Sequence, residues 1–179
     1  VKDSDFLIIS VGELSKRKNH ATVIKAIHKL NDPHIKYAIA GIGNEKNNLC
    51  NLIREYHLEN RVKLLGYISN LDGLYYAADL NMFISKREGL GLGGLDGVAH
   101  GLYIIGNKRT GMKDYISSPE NGLLVNSPID IDEVASVIKN VKEKRLKCSS
   151  IEDIKGFDHS NVDKMMQQIY LKEFFGENV

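Results

Sequence analysis

Six short apolar runs, most of them ending at a glycine, do more to restrict the fold than any other feature of the chain. Phe6-Leu7-Ile8-Ile9-Ser10-Val11 stops at Gly12, Tyr37–Ala40 at Gly41-Ile42-Gly43, Val62–Leu65 at Gly66, and Leu102–Ile105 at Gly106. Leu80–Ile84 opens into Ser85–Glu88, and Gly122–Val125 is the sixth run. Runs this short and apolar on both faces read as buried parallel strands. Helical spacing fills the intervals: Val23, Ile24, Ile27 and Leu30; Leu49, Leu52, Ile53 and Tyr56; a short helix over Leu71–Ala78; and Val134, Val137, Ile138 and Val141 within Ile131–Val141. Asn107–Gly111 reads as a polar loop, Met112–Ile116 as a short helix and Ser149–Asp158 as irregular chain. A last helix over 161–175 carries Val162, Met165, Met166, Ile169 and Tyr170. This alternation predicts an α/β class, with a Rossmann-like doubly wound parallel six-stranded sheet and helices on both faces. Residues 1–179 read as one domain.

In an open parallel sheet, ligands bind beyond the carboxyl ends of the strands, where most of these glycines fall. The densest stretch is Phe83–Gly101, with five glycines from Gly89 to Gly97 and two carboxylates, Glu88 and Asp96, eight positions apart. Each helical glycine costs roughly 1 kcal/mol against alanine, so the run needs a reason. One is close approach of backbone to a ligand: a helix starting near Leu92, with Asp96 inside it, would turn unpaired N–H groups and a positive dipole end toward a phosphate. The other is a tight helix-to-sheet contact that needs only small residues. The sequence leaves both open.

Lys18, just after the first strand, is placed to reach a phosphate as a point charge, although Lys16 and Arg17 beside it also fit a solvated basic turn. Gly41-Ile42-Gly43 is half of a dinucleotide fingerprint whose third glycine would fall at Lys46, which disfavours a nicotinamide enzyme, and no P-loop is present. Glu88 follows Arg87, so an exposed charge pair is its plain alternative. The six histidines show no metal pairing, His100 could simply complement a helix dipole, and Arg109 and Lys113 face either an anion or solvent. A net charge of +1 gives no field that would favour nucleic acid or an anionic membrane. No window approaches the ~20 apolar residues of a membrane span. The two cysteines, Cys50 and Cys148, read as free thiols in a reducing compartment, so a cytoplasmic location is expected. The first residues lack an initiator Met and enter a strand at once, as expected of a piece of a longer protein.

In their order, these pieces resemble the C-terminal, donor-binding half of GT-B-fold glycosyltransferases of family four, the group 1 glycosyl transferases. The hallmark of that family is a Glu, seven residues and a second Glu, here Ser85-Lys86-Arg87-Glu88-Gly89-Leu90-Gly91-Leu92-Gly93-Gly94-Leu95-Asp96 followed by Gly97-Val98-Ala99-His100-Gly101. Val11-Gly12-Glu13-Leu14 with Lys18-Asn19-His20, Ala40-Gly41-Ile42-Gly43, Arg61–Gly66, Ala77-Ala78-Asp79-Leu80 and Asn121–Val125 match in order, across roughly residues 6 to 172. The branch it looks closest to builds bacterial capsular, exopolysaccharide or O-antigen units.

The resemblance implies that sugar is transferred from a nucleoside-diphosphate donor, UDP foremost, with retention of anomeric configuration and with neither cofactor nor obligatory metal. Glu88 matches the catalytic-site glutamate that contacts the donor sugar, and Asp96 the acid that holds the ribose hydroxyls. The backbone of Gly89, Leu90, Gly91 and Leu92 matches the stretch facing the sugar and distal phosphate. Lys18 matches the lysine that neutralises the diphosphate, Gly41, Gly43 and the segment around Gly66-Tyr67 the walls of the base pocket, and Gly12 is a further substrate-binding position. Three departures stand out: Glu13 where many relatives carry a phosphate-binding arginine, Asp96 one methylene short of glutamate, and Gly97-Val98 and Tyr103 where Ala-Met and Pro are usual. The implied partners are the donor and a saccharide or lipid-linked acceptor held on a missing N-terminal domain, to which the 161–175 helix would cross back. A homodimer in the isolated form, a peripheral position at the inner membrane face and absence of turnover in this piece alone are further expectations. The alternatives are a non-catalytic binding or oligomerisation domain of the same fold, and a GT-B-type nucleotide-sugar epimerase.

Overall fold

The computed structural model describes residues 2 and 4–175. Six strands alternate with helices: β1 (Phe6–Val11), α1 (His20–Leu30), β2 (Ile35–Ala40), α2 (Lys46–Glu55), β3 (Val62–Gly66), α3 (Asp72–Ala77), β4 (Leu80–Phe83), α4 (Leu92–Ala99), β5 (Tyr103–Asn107), a 3₁₀ turn (Gly111–Asp114), β6 (Gly122–Val125), α5 (Ile131–Lys144), a 3₁₀ helix (Glu152–Phe157) and α6 (His159–Phe175). All strand pairs are parallel, in the order β3-β2-β1-β4-β5-β6. The order therefore reverses between β1 and β4, and a parallel sheet opens its ligand crevice at such a reversal, beyond the carboxyl ends of the two strands.

Alternation along β1 divides the core. Ile8 packs with Val23, Ile24, Ile27, Val134, Ile138 and Val141 under α1 and α5. Leu7 and Ile9 point to the other face, with Ala38, Tyr75 and Leu102, beneath α3. Under α4 a separate cluster gathers Phe83, Val98, Ile104, Met112, Tyr115 and Ile116. Helices thus cover both faces, as the sequence predicts.

Several boundaries move, for local reasons. β2 starts two residues before Tyr37, because Ile35 pairs with Phe6. Asn107 joins β5 by pairing with Val125, and the short helix expected over Met112–Ile116 is a 3₁₀ turn, Gly111–Asp114. α5 runs on to Lys144 and ends where Arg145 turns left-handed, at φ 49°. The stretch expected to be irregular contains a 3₁₀ helix, Glu152–Phe157, whose Phe157 meets Tyr115 edge to face at 6.1 Å. α6 begins at His159, earlier than its apolar spacing suggests, because Asp158 accepts the Ser160 amide at 2.9 Å. Val162, Met165, Met166, Ile169 and Tyr170 are exposed along α6. Among the described residues no helix is long and apolar enough to cross a membrane.

Candidate functional site

The chain leaves β1 through Gly12 and presses against the exit of β2. Ladder bonding continues past the strand ends, with Gly12 N on Ala40 O at 2.9 Å and Gly41 N on Gly66 O at 2.7 Å. Gly41 is obligatory: its φ is +154°, and an added Cβ would lie 1.8 Å from the Gly12 carbonyl oxygen. At Gly43 the same atom would meet the Leu14 backbone at 2.4 Å. Past this junction the chain turns back so that the Lys18 side chain lies across Gly12, whose added Cβ would sit 3.2 Å from Lys18 Cε. The ammonium then rests 4.3 Å from the centre of the Phe83 ring.

Two buried side chains hold this turn. Asn19 takes the left-handed conformation that asparagine tolerates, at φ 63°. Its Nδ2 donates to Ile84 O at 3.3 Å and Pro128 O at 2.6 Å, while its Oδ1 accepts from Thr22 Oγ1 at 2.8 Å. His20 lies with Nε2 3.2 Å from the Glu13 carbonyl and Nδ1 3.2 Å from Tyr37 Oη. A carbonyl only accepts, which places a ring proton on Nε2. Burial depresses the His20 pKa to about 4; the Glu13 hydrogen bond opposes the shift and the Lys18 charge adds to it.

Across the crevice, β4 leads into the loop that carries Glu88. Glu88 Oε2 accepts from Lys18 Nζ at 2.7 Å and from Arg17 Nη1 at 3.0 Å. Burial works to raise the Glu88 pKa, but the Lys18 hydrogen bond, the Lys18 and Arg17 charges and a Ser85 hydrogen bond together lower it. Glu88 is therefore an ionised carboxylate at neutral pH. The Lys86 amide also donates to Arg17 O at 2.8 Å, so the β1 and β4 loops are tied together through backbone.

Then α4 begins. Its N-cap is Gly91, at φ +78°. Among the described residues, no amide from Gly89 through Gly93 donates a hydrogen bond. The first turn of α4 therefore presents a row of open N–H groups, with its positive dipole end, beside Lys18 and Glu88. Leu92 and Asp96, one turn apart, lie on the exposed side of the helix. The Asp96 carboxylate has no hydrogen-bond partner among the described residues; burial raises its pKa, with the His100 charge pulling the other way. Glu88 and Asp96 both act on the buried Tyr115, whose pKa is raised first by burial and then by these two charges.

The glycine run answers to both explanations the sequence left open, position by position. Nothing within 4 Å would obstruct a Cβ at Gly89, whereas at Gly93 it would meet Val11 O at 3.0 Å, at Gly94 Tyr115 Oη at 2.5 Å and at Gly97 Asn81 Nδ2 at 2.0 Å. The later glycines let α4 seat directly on β4 and β1. Asn81 Nδ2 donates to Gly93 O at 2.9 Å, Tyr75 Oη to the same oxygen at 3.3 Å and Tyr115 Oη to Gly91 O at 3.3 Å. Gly111 presses on the same loop from the β5 side, with an added Cβ 2.2 Å from Gly89 O.

The structure brings together Gly12, Lys18, Glu88 and the Gly89–Leu92 backbone at the β1/β4 reversal, with Gly41, Gly43 and Gly66 at the neighbouring strand exits. Tyr67 is 76% exposed, Ile42 62% and Leu92 66%, all at this carboxyl edge of the sheet. One pairing is corrected: Glu88 pairs with Lys18 and Arg17 from the other side of the crevice, not with its neighbour Arg87, which offers only its carbonyl to Arg17 at 3.2 Å. Arg109 and Lys113 are exposed, and His100 caps α4 with Nδ1 2.7 Å from Asp96 O. In the sequence Arg17 reads only as a neighbour of Lys18, and nothing there marks Asn19, His20, Asn81 and Tyr115 as supports. Being mid-pattern polar residues, these carry no periodic signal. Among the described residues no three His, Cys, Asp or Glu side chains cluster as a metal site.

A family profile described as "Glycosyl transferases group 1" matches residues 1–154. The chain belongs to the glycosyltransferase group 1 family. A family relative from Campylobacter jejuni, an N-acetylgalactosamine-N,N'-diacetylbacillosaminyl-diphospho-undecaprenol 4-alpha-N-acetylgalactosaminyltransferase, is 32% identical over 139 residues, covering 77% of this chain and 37% of that protein. Among solved structures, Anabaena HepE in complex with UDP superposes with a TM-score of 0.84 at 23% identity, over 93% of this chain and 48% of that one. The C-terminal domain of the Francisella tularensis glycosyl transferase group 1 protein LpcC gives 0.71 at 21% identity, over 82% of this chain and 81% of that one. The fold is that of GT-B glycosyltransferases. The chain spans less than half the length of the curated relatives it matches.

Proposed function

We propose that the chain is the donor-binding, C-terminal portion of a retaining glycosyltransferase that takes sugar from a nucleoside diphosphate, UDP foremost, in bacterial surface-polysaccharide synthesis. The observation that carries this reading is the open amide row from Gly89 to Gly93, set beside Lys18 and Glu88 at the reversal of the sheet. A diphosphate placed there meets N–H groups, a helix dipole and an ammonium, the elements that stabilise a leaving group as negative charge builds on it. Glu88, ionised, accepts hydroxyls of the donor sugar. Asp96, with its carboxylate unpartnered, accepts those of the ribose, and the exposed faces of Tyr67 and Ile42 flank the base. The acceptor is a saccharide or lipid-linked saccharide bound by a domain outside these 179 residues, so this chain alone binds donor without turning it over. Relatives named for a diphospho-undecaprenol acceptor and for colanic acid and O-antigen biosynthesis support the surface-polysaccharide part.

Calorimetric titration with UDP, GDP and ADP tests the reading. Saturable binding is expected, strongest for UDP, and Asp96→Ala should weaken it about tenfold, the scale of a lost hydrogen bond to a charged group. Glu59→Ala, exposed on the far side of β3, should leave it unchanged. No heat with any nucleotide from folded protein would remove the donor role, and equal affinities for Asp96→Ala and parent would remove the ribose contact.

A further inference from the structure

We propose that Arg17 is a second cation for the donor's diphosphate, held in place by Glu13 and aimed at the distal phosphate; this rests on the donor reading above. The guanidinium spans the mouth of the crevice. Nη1 sits 3.0 Å from Glu88 Oε2 and 3.2 Å from Arg87 O, and Nη2 3.7 Å from Glu13 Oε2. Lys18 Nζ lies 2.7 Å from the same Glu88 oxygen. Two cations converge on one carboxylate oxygen, and Arg17 keeps 44% of its side chain in solvent, open to a ligand. A ligand with a single phosphate would need only Lys18; a diphosphate uses both. Arg17 is also fixed at its base, because its carbonyl accepts from the Lys86 amide across the crevice. Both cations touch Glu88, which the donor reading sets against the sugar, so the phosphate beside them is the sugar-linked one. A planar fork suits two oxygens of one phosphate better than an ammonium does. Glu13, four residues before Arg17, holds the outer nitrogen and stops the fork from folding away into solvent.

The test compares UDP with UMP on the 179-residue chain by calorimetry, for the parent, Arg17→Ala, Arg17→Lys and Lys16→Ala. Arg17→Ala should lower the UDP-over-UMP affinity ratio about tenfold, the scale of one charge-assisted contact, with UMP affinity within twofold of the parent. Arg17→Lys should recover part of the ratio, and Lys16→Ala, a neighbouring exposed cation, should leave it unchanged. The UMP arm reports whether the variant is folded and its base site intact. If Arg17→Ala weakens UMP and UDP in equal proportion, or changes neither, Arg17 merely braces Glu88 and the proposal is overturned. If the parent binds no UDP, the donor reading itself falls and takes this role with it.

Discussion

His20 is the residue whose burial ties the site to pH. Its pKa drops from 6.5 to about 4 on folding. Between those values the unfolded chain binds more protons than the folded one, so stability rises with pH through that window and is lost as pH falls from 6.5 toward 4. The depression corresponds to about 3 kcal/mol, a large share of a small domain's stability. Glu88, whose pKa is lowered from 4.5, contributes stability present above that value and lost only further down, so the two groups act in different windows. Urea unfolding from pH 7 to pH 4.5 should therefore show a steep decline for the parent and a flatter one for His20→Gln. Identical slopes would show that His20 is not the group that titrates. The same substitution frees the Glu13 carbonyl, which is why a buried histidine invisible to pattern reading bears on the phosphate turn.

Among the elements, α4 carries the most consequence per residue. Alanine at a helical glycine ordinarily gains about 1 kcal/mol. At Gly97 the new methyl would lie 2.0 Å from Asn81 Nδ2, an atom that is buried and already donating to Gly93 O. Overpacking of this kind costs typically 1–3 kcal/mol, so the clash wins. Gly97→Ala should lower the thermal midpoint by several degrees and, by lifting the α4 amides away from Lys18, weaken UDP binding; a stabilised variant would contradict this packing. Much of this element was legible beforehand. Its start near Leu92, Asp96 inside it and Glu88 on its entry loop all follow from the strand–glycine–helix rhythm. What could not be read was the division of labour among its glycines, because a Cβ clash with Asn81 or Tyr115 depends on which strand and turn lie beneath the helix. Likewise the 3₁₀ helix at Glu152–Phe157 escaped notice, since its stability comes from Phe157 meeting Tyr115 and not from local spacing.

For the whole molecule, the strand order decides where a ligand goes. The reversal between β1 and β4 sets Gly12 and Lys18 on one wall of the crevice and Glu88 and α4 on the other. The opposite edge also has a hollow, about 1320 Å³, lined by Asp5, Phe6, Tyr76, His100, Lys139 and Arg145 at the amino ends of the strands. It mixes both signs of charge, so the β1/β4 crevice, with its open row of amides beside Lys18, is the better phosphate site. The exposed stripe on α6 is the face that the proposed donor portion would turn to another domain. A crystal structure of this chain with UDP tests the account most directly. The diphosphate should lie within hydrogen-bonding reach of the Leu90–Gly93 amides and Lys18 Nζ, with the ribose hydroxyls on Asp96. UDP bound elsewhere, such as in the amino-edge hollow, with the amide row left empty would contradict it.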